Sequence, residues 1–248
     1  MKLSLQLFSA RNYTPYTDVI ARLGDYGFDC AEGFFGNFAE ADATRAALDA
    51  AGLTMPTLHV PLQMLEEDPA GVAALCKTLG TQAVYAPWIA PEMRGSTSAE
   101  WEALADRLAA CHAAMAEHGI PLGWHNHDFE MVTLADGGVP MDILLTRAPM
   151  IDWEMDVAWV VRGGADPIEW ITKYGDRITA AHFKDIAPKG EKTDEDGWAD
   201  PGTGVVDWPA ILTALRDKTR CAVLVAEHDN PNDFDRFAKQ AIAHYRSL

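Results

Sequence analysis

Eight short apolar runs, each followed by a segment of helical spacing, recur along the chain, and this alternation limits the fold more than any other feature. Leu3, Leu5 and Leu7 alternate with Ser4 and Gln6 and form the first run. The others are 28–32, 53–60, 83–86, 122–125, 151–156, 178–183 and 221–227, the last an almost continuous apolar stretch. Between and after them lie eight segments with apolar residues three and four apart, at 17–26, 38–51, 68–79, 97–118, 140–147, 167–174, 207–215 and 234–245. Gly27, Gly52, Gly80 and Gly119 stop four of these helices, and Ser96 or Thr97, with Glu100 close behind, can cap the start of the one that Gly119 ends. A helix between two strands is a crossover, so consecutive strands run parallel. An open doubly wound sheet would alternate in the same way. Eight units in 248 residues, with no glycine-rich phosphate turn after the first strand, favour the closed α/β arrangement, a (β/α)8 TIM barrel. No composition break divides the chain, so residues 1–248 are expected to form one barrel domain.

Hydrophobic residues make up 48% of the chain, enough for a large core. The net charge of −17 works against phosphate backbones and anionic lipids, so neither nucleic acid nor membrane is an expected partner. Cys30, Cys76, Cys111 and Cys221 are far apart and form no CxxC pair, as in a reducing compartment. No leader-like segment is visible, and no apolar run approaches the ~20 residues of a membrane span. A cytoplasmic location is the expectation.

In such a barrel the active site lies at the C-terminal ends of the strands. Those ends carry Gln6, Glu32, His59, Tyr85, His125 with His127 and Glu130, Asp156, His182 with Lys184, and Glu227 with His228 and Asp229. Stability needs no such groups there, and clustering them costs desolvation and repulsion. A divalent cation holds several carboxylates and an imidazole together economically. Glu130, Asp156, His182 and Glu227 are the expected ligands. Oxygen and nitrogen donors without thiolate suit one divalent ion, Mn2+ first, with Mg2+, Co2+ or Zn2+ as alternatives. Such an ion would polarise a sugar carbonyl while a neighbouring base removes the adjacent C–H proton. Glu32, His59, His127 and Lys184 are candidates for that base, with His125 beside the substrate.

Bland readings stand beside these. His59 could be a hydrogen-bonded rim histidine and Glu32 a helix cap. Tyr85, Trp88, Trp124 and Trp159 read first as packing. Asp128 and Glu154 read as structural, Asp185 as a partner of His182, and His228 with Asp229 as orienting groups. The charged run 191–196 reads as a solvated loop or a lid.

Taken together, Gln6–Arg11, His125-Asn-His-Asp-Phe-Glu130, Glu154-Met-Asp156-Val-Ala-Trp159, Gly163-Gly164, His182-Phe-Lys-Asp185, Gly202-Thr-Gly204 and Glu227-His-Asp229 resemble the sugar phosphate isomerase/epimerase family of the xylose-isomerase-like TIM barrel superfamily. The resemblance covers essentially the whole chain. It implies a metal site of acids and one histidine, carried over to Asp156, His182 and Glu227. The superfamily places a glutamate at the tip of strand five, where this chain has His125. Either Glu130 folds back onto the metal or His125 takes the place, and Glu130 is the preferred expectation. The family implies an isomerase or epimerase acting on a small sugar or keto-sugar. A lyase or dehydratase of 3-keto-glycosides or inososes is the alternative that shares the first step. The superfamily's apurinic-site endonuclease is disfavoured by the charge. A metal-free accessory barrel is the rival from another class, and a homo-oligomer is left open. Replacing Glu227 with glutamine is expected to end activity while leaving the melting of the metal-free protein unchanged or raised.

Overall fold

A computed structural model describes residues 1–248. Eight parallel strands form a nearly closed barrel in the order β2-β1-β10-β7-β6-β5-β4-β3. They are β1 (Lys2–Gln6), β2 (Cys30–Glu32), β3 (Thr57–His59), β4 (Ala83–Ala86), β5 (Leu122–His125), β6 (Asp152–Asp156), β7 (Ile178–Phe183) and β10 (Val223–Ala226). Parallel bridges Cys30↔Thr54 and Gly33↔Leu58 bring β2 against β3 and round off the ring. Strand β1 pairs with β10, with Leu3 opposite Leu224, so the two ends of the chain share one sheet. Helices follow the strands, as the alternation requires. No helix is long and apolar enough to cross a membrane.

Period two sorts each strand's side chains. Leu3, Leu5, Trp124, Trp153, Met155, Phe183 and Leu224 join the large core between barrel and helices. A smaller apolar cluster of Tyr85, Ala180, Val223 and Val225 stands apart from it. It fills the lower interior of the barrel, and the Tyr85 hydroxyl bonds Thr179 Oγ1 at 2.8 Å. The ring has room because β5 carries Gly123 beside it. A Cβ there would stand 2.6 Å from the Tyr85 ring and 2.7 Å from Asp152 O. Above this plug the strand ends carry the buried polar side chains Gln6, Glu32, His59, His125, Glu154, Asp156, His182 and Glu227.

The sequence pattern missed some elements. A helix at Leu62–Glu67 precedes Pro69–Leu79, and Asp68 caps the second by accepting from Gly71 N. Asp156 ends β6 and also caps the short helix Val157–Arg162. The stretch after Lys184, which carries neither a strand-like run nor helical spacing in the sequence, contains a hairpin, β8 (Asp185–Ile186) antiparallel to β9 (Trp198–Ala199). The Thr97–Glu100 capping box is present at Ser98–Ala116.

Candidate active site

The polar layer opens into a cavity of about 440 Å³ lined by Phe8, Arg11, Phe34, Phe35, His59, Pro87, Trp88, His125, His127, Asp196, Glu227 and Asp229. These residues come from the strand ends and the loops after them, where parallel strands deliver side chains to one rim.

Four donor residues gather at its floor: His125, Asp156, His182 and Glu227, with ligand atoms all within 4.8 Å of one another. His182 Nδ1 lies 2.9 Å from Glu227 Oε2 and 3.9 Å from Asp156 Oδ2. Asp156 Oδ1 accepts from Trp159 N at 2.8 Å, whereas its Oδ2 is buried without a hydrogen-bond partner. Burial pushes this carboxyl up to about 6. Asn126 Oδ1 accepts from Asp156 N and Trp153 Nε1, both at 2.9 Å, and so ties the end of β5 to β6. A buried acceptor with nothing to accept from is expensive. A cation beside Asp156 Oδ2 would satisfy it, and two imidazoles with two carboxylates suit a divalent ion.

A second group lies under the first. Glu154 Oε2 stands 2.5 Å from His59 Nε2, 3.1 Å from His125 Nδ1 and 3.3 Å from His182 Nε2. Glu32 Oε1 stands 3.2 Å from His59 Nε2 and 3.0 Å from His182 Nε2, and accepts from Gln6 Nε2 at 2.7 Å. Burial and Glu154 raise the Glu32 carboxyl above its ordinary range, while His182 and His59 hold Glu154 well below its own despite burial.

Two of the cavity's histidines are held neutral. Burial and His182 drive His125 down to about 3, and burial with His125 drives His127 well below its ordinary value. The His127 ring lies nearly parallel to Phe129 and 5.1 Å from Trp159, and its Nδ1 has no partner. Arg94 sits over Phe129 at 3.7 Å. Lys184 is the buried cation of the site. Burial opposes its charge, but Asp229 at 2.6 Å and Glu227 at 3.2 Å outweigh burial and keep it protonated. Its ammonium lies 4.1 Å from the centre of the Trp198 ring, brought there by the hairpin.

The candidate ligands and bases expected from the sequence lie at this end of the barrel in different relations, whereas Tyr85 belongs to the apolar plug below. Lys184 stands behind Glu227 and Asp229 and lines no part of the cavity, so it is a poor base. Glu32 is buried below the cavity floor rather than capping a helix. Glu130 is turned to other partners: Oε1 accepts from Trp124 Nε1 at 3.0 Å and Oε2 from His127 N at 2.8 Å. It is absent from both ligand groups, and His125 stands in its place. Asp185 serves loop amides rather than His182. Glu195, in the run expected to be solvated, is buried against Arg236. Sequence reasoning set Glu154 aside as structural and did not single out Asn126. Period two could have found Glu154, because an inward Asp156 makes the residue two before it inward as well.

The family model described as xylose isomerase-like TIM barrel matches residues 20–248. An inosose dehydratase of Geobacillus kaustophilus is 26% identical over 243 residues, which cover 90% of this chain and 76% of that protein. The chain spans about half the length of other curated relatives it matches. A sugar phosphate isomerase/epimerase from Parabacteroides distasonis superposes with a TM-score of 0.83 at 18% identity, over 100% of this chain and 94% of that one. The IOLI protein, described with a binding zinc atom, superposes with a TM-score of 0.79 at 18% identity, over 100% and 97%. At these identities the superpositions speak for the fold.

Proposed function

The chain belongs to the xylose isomerase-like TIM barrel family, and from that premise we propose that it is a divalent-metal-dependent lyase that removes water from a cyclic polyhydroxy ketone. The observation that carries the reading is His127: a neutral imidazole with a free nitrogen, on the wall of a cavity whose floor holds His125, Asp156, His182 and Glu227. Asp156, His182 and Glu227 would hold the metal, with His125 rather than Glu130 the fourth side chain within reach. When bound, the ion supplies Lewis-acid polarisation of the ketone and acidifies the neighbouring C–H.

His127 takes that proton, and the Phe129 and Trp159 rings fix the imidazole and keep water from it. The electron pair left on carbon expels the β-hydroxyl. Asp229 lines the cavity, and burial raises its carboxyl while Lys184 bonds it. Paired with the protonated Lys184, it accepts from and orients the departing hydroxyl, which takes the proton held by His127 and leaves as water. The inosose dehydratase name of the long alignment supports elimination over the isomerase or epimerase reading, in which the same proton returns to carbon. The test is incubation of a panel of inososes and ketoses in D2O with and without EDTA. Metal-dependent loss of water is the expected result. A product isomeric with its substrate and labelled at the α-carbon would replace elimination by isomerisation. Turnover unaffected by chelation would end the metal reading.

Glu130→Gln separates the two candidates for the fourth ligand. Burial pushes the Glu130 carboxyl up to about 8, so it is largely uncharged at neutral pH. The amide can accept from one of Trp124 Nε1 and His127 N but turns its NH2 to the other, at a cost of about 1–2 kcal/mol. Metal affinity is expected to stay within about threefold of wild type, while His125→Ala weakens it by about 10-fold or more. Isothermal titration with Mn2+ reads both, and loss of binding in Glu130→Gln would restore Glu130 to the metal.

A further inference from the structure

Below the site just described, the geometry points to a second divalent-cation site of nitrogen-rich, transition-metal character, held by His59, Glu154 and the Nδ1 of His125. It goes beyond the proposed reaction and does not depend on it. The three residues come from β3, β6 and β5, with Glu32 of β2 and His182 of β7 beside them.

The donor spacing is the first argument. With metal–ligand bonds of about 2.0–2.2 Å, neighbouring donors around a tetrahedral or octahedral ion stand roughly 2.9–3.5 Å apart. The measured edges are 3.1 Å for His125 Nδ1 to Glu154 Oε2 and 2.5 Å for His59 Nε2 to Glu154 Oε2. The first matches and the second opens by a few tenths of an ångström when an ion enters.

Hydrogen-bond accounting is the second. Three imidazole nitrogens converge on the single oxygen Glu154 Oε2. Meanwhile Glu154 Oε1 and Glu32 Oε2 are buried with no partner, in residues that are 0% exposed. A purely structural network would spread its donors over all four oxygens. Imidazoles and carboxylates aimed at one place, with orphaned oxygens beside it, are arranged for a cation instead.

The two sites do not compete for His182. Its Nδ1 faces Glu227, and its Nε2 faces Glu32 at 3.0 Å. As a ligand of the upper ion through Nδ1, it donates Nε2–H to Glu32, the outer partner that metal-bound histidines usually have. His125 is within reach of both ions and goes to the lower one through Nδ1, so the upper ion keeps Asp156, His182 and Glu227 and open positions for substrate. Glu32 and Glu154 line no part of the cavity, so the lower ion does not touch substrate. It fixes the rings of His59 and His125, which do line it. Two imidazoles without thiolate favour Zn2+ or Co2+ over Mg2+.

The test is a metal count on stripped and dialysed whole protein titrated with Co2+, read by elemental analysis and by cobalt visible absorption. Wild type is expected to bind about two Co2+ per chain, and Glu154→Gln, His59→Gln and Asp156→Asn about one each. Circular dichroism checks folding, and His59→Gln carries the test if Glu154→Gln misfolds. Cobalt-edge anomalous diffraction of wild type is expected to place one peak between His59 and Glu154 and another at Asp156. Saturation at one Co2+ that Asp156→Asn loses and Glu154→Gln keeps would overturn the second site and leave the proposed function standing. No bound Co2+ at all would overturn both.

Discussion

Asp156→Asn is expected to lower activity by more than about 100-fold, the upper range for residues that only support a ligand. In EDTA it is expected to make the protein more stable. The Asp156 carboxyl is pushed by burial to about 6 from an ordinary 3.8, and at about 1.4 kcal/mol per unit its ionisation costs the folded metal-free protein about 2–3 kcal/mol. The sign follows from proton binding. The folded state holds the proton more tightly than the unfolded chain, so stability falls as pH rises from about 4 to about 6 and stays low above that. Asparagine has no such loss and still accepts from Trp159 N through Oδ1, so the helix cap survives. For a chain of this size the gain amounts to about 5–10 °C in melting temperature at pH 8, shrinking to nothing near pH 4. Glu227 has the opposite sign. Lys184 at 3.2 Å and His182 at 2.9 Å overcome burial and hold it ionised, so Glu227→Gln is expected to lower the stability of the metal-free protein. This reverses the repulsion argument made from sequence, where the buried lysine beside Glu227 was not visible. Thermal melts of both variants in EDTA across pH 4–8 decide the matter, and an Asp156→Asn melt below wild type at pH 8 would refute the assignment.

The contrast marks what the sequence could convey. Alternating runs fixed by period two and by helical spacing are local properties, and they identified all eight barrel strands within a few residues. The same periodicity placed His125, Asp156, His182 and Glu227 at one rim, because each ends or follows an inward-facing column. It loses force where the strand stops. After His125 the chain enters a turn and the short 3-10 segment Phe129–Met131, and the direction of Glu130 is set by Trp124 Nε1 and a backbone amide instead. Depth is the other quantity that strand ends do not convey. Glu154 sits one inward position below Asp156, and its importance comes from His59, His125 and His182, each on a different strand. Those encounters depend on barrel stagger, which no single strand encodes.

The hairpin after Lys184 yields the second large effect, because one carboxylate organises it. Asp185 Oδ1 accepts from Ile186 N at 2.9 Å and Val206 N at 3.0 Å, and Oδ2 from Gly202 N at 2.9 Å and Gly204 N at 3.1 Å. These four bonds close 187–206 into a cap whose Trp198 covers the Lys184 ammonium and whose Asp196 lines the cavity. Asp185→Ala is expected to cost roughly 3–5 kcal/mol, since hydrogen bonds to a charged group contribute about 1.5–3 kcal/mol each and some of the freed amides regain water. Gly204→Ala should produce the same defect from the other side. Its Cβ would lie 2.2 Å from Asp185 Oδ1 and 2.3 Å from Ile186 O, too close for either to remain in place. With Trp198 withdrawn, water reaches Lys184 and weakens its hold on Asp229 and Glu227. Activity should then fall about 10–100-fold while the barrel persists. Trypsin cleavage after Lys189 and Lys192, amide exchange at Gly202, Gly204 and Val206, and urea unfolding report the cap and the barrel separately. Exchange and cleavage at wild-type rates in Asp185→Ala would mean that Arg236, through Glu195 and Asp200, holds the cap unaided.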